Sequence, residues 1–207
     1  MKVWDLPTRL YHWVQLVLFI GLVVSGLTEE GPHVIAGLIL LSLLLWRVVW
    51  GFIGSETSRF TQFVKSPRVV TQYLQGKYPE KPGHNPAGAL MVLALISLLL
   101  LQCFTGLALA GMLDPLPGSE VWLTDELFDL FVLVHENLFK GLITLSVLHV
   151  LAIIVYKIKS KPLVKAMFTG VQENRQQETV YFASTYIAAL VLSLTLVISY
   201  LLYYFHL

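Results

Sequence analysis

The chain has 207 residues, of which 56% are hydrophobic and only 13% charged, with a net charge of +1. A soluble domain carries about 25% charged residues, so the composition excludes an ordinary soluble domain, and the near-neutral charge gives no sign of a nucleic-acid partner. The single cysteine, Cys103, excludes a disulfide framework, a cysteine-rich zinc or iron–sulfur site, and covalent attachment of a c-type haem.

A membrane span needs roughly 20 mostly apolar residues. Five segments qualify, at 10–27, 33–53, 86–113, 131–156 and 181–205. The first apolar run is span-length with no small-residue cleavage site after it, so it reads as a retained helix rather than a signal peptide. The predicted fold is an all-α integral membrane protein: a four-helix transmembrane bundle at 1–172, then an accessory fifth helix at 173–207.

The loops alternate in charge. Lys2 and Arg9 precede span one, and Glu29 and Glu30 follow it. Arg59, Lys65, Arg68, Lys77 and Lys81 lie between spans two and three. Asp114, Glu120, Asp125, Glu126 and Asp129 lie between three and four, and Lys157, Lys159, Lys161, Lys165 and Arg175 follow span four. Basic loops stay inside, so the N-terminus is expected in the cytoplasm and the C-terminus on the far side of the membrane. Within the second loop, Ser66-Pro67 opens a short helix that Gly76 can end, with Val69, Val70, Tyr73 and Leu74 on one side. Flanked by Lys and Arg, it is expected to lie on the membrane surface. Asn85 caps span three, and a second surface helix is expected between Pro162 and Gly170.

Polar groups inside spans are expensive and point to function. His135 and His149 are 14 residues apart on span four. That is about 40° short of four turns and about 21 Å of rise, so both rings face one side at two depths. His12 opens span one on the inner side and His33 opens span two on the outer side. Topology therefore offers an outer pair, His33 with His135, and an inner pair, His12 with His149. Two imidazoles on opposed helices suit six-coordinate haem iron. Zinc is disfavoured, since neither level offers a third convergent ligand. The expected cofactors are two non-covalently bound b haems.

Gly26, Gly37, Gly88 and Gly106 could admit a flat macrocycle, although glycines also serve close helix packing. Arg47, 14 residues after His33, either pairs with a haem propionate at the inner level or snorkels to the surface beside Trp46 and Trp50. Arg9 and Arg59 are weaker candidates of the same kind. His84, at the mouth of span three, could bond a propionate, help bind quinone or line the surface. His206 reads as an interfacial residue.

These residues resemble the bacterial cytochrome b561 / nickel–iron hydrogenase b-type cytochrome family over roughly 2–172. The likeness rests on VWDLPTRLYHW, on His33-xxx-Gly37 followed by WRVVWGFIG, on RFTQFVKSPRVV and GHNPAG, and on the His135–His149 spacing followed by LVKAMFTG. The resemblance implies a four-helix core with two b haems held by His12, His33, His135 and His149. It also implies electron transfer between membrane quinone and a partner redox protein. That partner is expected to be a periplasmic c-type cytochrome, or else the chain anchors a hydrogenase or another respiratory complex. The chain departs from the family in its fifth span, expected outside the haem bundle, where it could serve partner docking or a homodimer. The acidic outer loop could steer a basic cytochrome, or be a plain solvated loop. A proton channel or transporter using the histidines as relays is the competing class, and it leaves the two-level pairing unexplained.

Overall fold

The structure, a computed structural model, describes residues 1–78, 83–172 and 179–206. Lys81, Arg175 and the boundary expected at 172–173 lie outside the described residues, as does the side chain of His206. Five helices among the described residues are long and apolar enough to cross a membrane. In a bilayer only internally hydrogen-bonded segments can span, and the chain is an all-α integral membrane protein.

Helix α1 (Leu6–Thr28) starts where Asp5 accepts the Thr8 amide at 2.6 Å and Pro7 pre-sets the first turn. It turns directly into α2 (His33–Ile53). A 3-10 turn at Glu56–Ser58 and two short helices follow, α3 (Phe60–Phe63) and α4 (Pro67–Leu74), the latter opening at Ser66-Pro67 as predicted. Asn85 Oδ1 accepts the Gly88 amide at 2.8 Å and caps α5 (Pro86–Leu109). The apolar run predicted as span three continues to 113, but the helix stops at Leu109. Gly111 takes a φ of 71°, and Met112 and Leu113 fold into a buried turn instead. Helix α6 (Ser119–Trp122) is a single turn.

Helix α7 (Asp125–Ile158) starts six residues before the predicted span. Thr124 caps it by accepting the Leu127 amide, and Asp125 and Glu126 complement the dipole of its first turn. Helix α8 (Leu163–Thr169) ends at Gly170, whose φ of 79° and close approach to the Trp4 carbonyl leave no room for a side chain. The Val3 and Trp4 amides both donate to the Gly170 carbonyl, at 2.7 and 3.1 Å. Thus the first and last motifs of the likeness, VWDLP and AMFTG, form one clasp at the base of α1.

Helices α1, α2, α5 and α7 follow one another around the bundle, and α7 leans chiefly on α5. The fifth span, α9 (Thr185–His206), packs along α2 and touches α1. The Trp46 indole donates to the Ala188 carbonyl at 2.9 Å, and the Ser42 and Ser199 hydroxyl oxygens lie 2.7 Å apart. The face of α9 that meets α2 is therefore filled by this chain itself. Trp46 and Trp50 lie in that seam, buried, rather than at a membrane surface. The Trp50 indole donates to Asp5 Oδ2 at 3.1 Å, so one carboxylate both caps α1 and anchors α2.

Candidate functional site: two histidine pairs at opposite ends of the bundle

The bundle leaves two polar clusters on the inward face of α7. One is at the acidic end, near the α1–α2 turn. The other is at the basic end, near the clasp.

At the acidic end a cavity of about 570 Å³ lies between α1, α2, α5 and α7, and both His33 and His135 line it. His33 Nδ1 lies 2.8 Å from Ser25 Oγ, and His135 Nδ1 lies 3.0 Å from Thr105 Oγ1. Glycines make room for the rings. A Cβ at Gly106 would sit 3.0 Å from His135 Cε1, and one at Gly26 would sit 3.4 Å from His33 Cε1. Gly37 faces open space in the same cavity. Gly88 does not take part, since its neighbour is its own cap, Asn85. Glu29, Gln102, Cys103 and Glu136 also line the cavity.

At the basic end the rings of His12 and His149 face each other with centroids 6.5 Å apart and planes inclined at 52°. His12 Nδ1 is shielded from solvent and has no hydrogen-bond partner. Leu142 lies midway between His135 and His149 on α7 and packs with Leu40, Leu44 and Leu99. This apolar plug separates the two ends.

Arg47 does not snorkel. It is 3% exposed, its guanidinium donates to the Ser58 carbonyl at 3.2 Å, and it lies 5.2 Å from the Phe60 ring centre. No carboxylate forms an ion pair with it among the described residues, so a buried cation retains donors for an anion. His84 is half-buried. Its ring contacts Trp4 at 4.7 Å and Phe63 at 4.5 Å, and its Nδ1 is shielded and unpartnered. Burial, reinforced by the positive charge of Arg47, pushes its pKa down to about 3 against an opposing contact with the Thr57 backbone. Arg9 and Arg59 are engaged by their own chain, Arg9 with the carbonyls of Asp5 and Phe168 and Arg59 with that of Gly54 at 2.8 Å.

The model of the prokaryotic cytochrome b561 family matches residues 3–170. The chain belongs to that family. The match covers the four helices that surround the histidines and stops before α9. No curated protein and no solved structure matches the chain. A prokaryotic cytochrome b561 holds b-type haem and transfers electrons within a membrane.

The residues fit such a group. The rings of His12 and His149, 6.5 Å apart between centres, are spaced so that one iron could be held between two imidazoles.

Several polar residues of this region had escaped the sequence reading. Ser25 and Thr105 sit in apolar runs, where a hydroxyl commonly just bonds its own helix. Glu136 and Lys140 lie within the fourth span yet went unremarked beside the histidines, although both are ionisable groups at membrane depth.

Proposed function

We propose that the chain is a dihaem cytochrome b that carries electrons across a bacterial inner membrane, between the quinone pool and a redox partner on the periplasmic side. The observation that carries this reading is the His12–His149 pair at 6.5 Å, together with a second two-histidine cavity at the opposite end of the same α7 face. In the proposal His33 and His135 hold an outer haem b, and His12 and His149 an inner one. When bound, haem iron supplies one-electron cycling between its ferric and ferrous states with no open coordination site.

The protein's own task is to position and insulate. The α7 register sets the two depths, and the Leu142 plug keeps water and protons out of the space between them. At the inner end Arg47, buried with one hydrogen bond, is the residue suited to a propionate carboxylate. Neutral His84 is suited to bond either a propionate or a quinone oxygen through its unpartnered Nδ1. The basic loops support a cytoplasmic N-terminus and a periplasmic C-terminus. Service as the b-type subunit of a hydrogenase or another respiratory complex would use the same two sites. The α9 helix covers α2 on the face away from the cavity and is not needed to build either one.

Difference spectra of purified protein, dithionite-reduced minus oxidised, should show b-type bands. Pyridine haemochrome should give two haems per chain. A folded but colourless protein sinks the proposal, and one haem per chain removes one of the two sites.

A further inference from the structure

The two outer-end histidines differ from His12 in what holds their Nδ1 atoms. A hydroxyl has one proton to donate and two lone pairs to accept with. Ser25 Oγ donates its proton to the Leu22 carbonyl at 3.2 Å. Thr105 Oγ1 sits 3.0 Å from the Leu101 and Gln102 carbonyls, which take its proton. Each hydroxyl thus has a backbone carbonyl to take its one proton, which leaves its oxygen free to accept from the imidazole Nδ1. In that arrangement Nδ1 of His33 and of His135 is the protonated nitrogen and Nε2 of each carries the lone pair. His12 Nδ1 has no such partner.

We infer that Ser25 and Thr105 are positioning residues that hold His33 and His135 as Nδ1–H tautomers with Nε2 available to iron, and that they make the outer haem the lower-potential member of the pair. This rests on the dihaem reading. An imidazole that donates through Nδ1 gains anionic character and becomes a stronger ligand. A stronger axial donor favours ferric iron and lowers the potential. At the other end His12 lacks that polarisation, and the buried Arg47 cation favours the ferrous state. Both differences act in the same direction, so electrons run downhill from the acidic end to the basic end.

The test is a redox titration of the full chain with both haems bound, followed by optical bands and low-temperature electron paramagnetic resonance. In Ser25→Ala and in Thr105→Val the lower of the two midpoint potentials should move upward while the higher stays in place. The same haem should be retained about 10- to 100-fold less tightly, the range for losing a hydrogen bond behind a metal-bound histidine. Ser25→Thr and Thr105→Ser keep the hydroxyl and should keep both potentials. A role confined to packing would not be rescued in this way. Should Thr105→Val misfold and lose both haems, Ser25→Ala still reads the same quantity. Two haems with unmoved potentials in the hydroxyl-free variants would overturn the inference and leave the dihaem reading standing. A shift in the higher potential instead would reverse the assignment. Wild-type protein without haem would overturn both.

Discussion

The two ends of the bundle solve one problem with different means. At the acidic end the histidines sit in a roomy cavity, each backed by a hydroxyl and each laid against a glycine. At the basic end the rings stand 6.5 Å apart, but His12 has no Nδ1 partner, and the polar company is a buried arginine and the half-buried His84, whose Nδ1 is shielded. In the proposed dihaem reading, one end would be tuned through its ligands and the other through its surroundings. Axial-ligand basicity and local charge are separate levers on a haem, so a protein that uses each at a different depth can separate two chemically identical cofactors.

The largest expected effect breaks the comparison outright. His135→Ala should lower the haem content from two to one per chain and spare the inner spectrum, and His149→Ala should do the reverse. Simultaneous loss in either variant, read by pyridine haemochrome, would show that the ends are not independent. Trp50→Ala is expected to cost about 3–5 kcal/mol, as for large buried aromatics, and to strike the basic end first, because Trp50 is fully buried and tethers Asp5. Thermal melts followed at the haem band would read this.

Arg47→Gln should lower the inner midpoint potential by on the order of 60 mV, a tenfold change in a one-electron equilibrium, with the outer potential unmoved. Gly106→Ala should disturb the outer haem, since its Cβ would sit 3.0 Å from the His135 ring, whereas Gly26→Ala, at 3.4 Å from His33, should be milder. Equal effects in their paramagnetic resonance spectra would dissolve that ranking. The smallest effect concerns acidity. The pKa of His84 is held down near 3 in the fold, against about 6.5 in an unfolded chain. The unfolded state therefore binds the extra proton first. The contribution of His84 to stability is complete above pH 6.5 and is lost as pH falls toward 3. His84→Asn should flatten that limb of a plot of melting temperature against pH.

Much of this arrangement was legible beforehand. The helical repeat alone aligns His135 with His149, because a ligand spacing along one helix is a local property. The cap at Asn85 and the short helix opening at Ser66-Pro67 are local too, and both are found. What hid were facts set by tertiary contact. Trp46 and Trp50 stand near the end of a span beside an arginine, the usual place for an interfacial belt, yet α9 covers them. Arg47 has the reach to snorkel, yet the Ser58 carbonyl and two phenylalanine rings hold it inside. Ser25 and Thr105 carry no signal of their own, since their meaning depends on a ring from another helix.

The uneven support of α7 has a further consequence. Along most of its length this helix has one protein neighbour, α5, and Leu142 is its only buried residue among those described. The space on its other side is where haem would stand. Binding therefore supplies a missing contact surface, and the free energy of ligation becomes part of the free energy of assembly. By mass action, any ligand that binds only the folded state raises apparent stability with its concentration. In the proposed reading, added haem would therefore raise the melting temperature of the protein in step with its concentration.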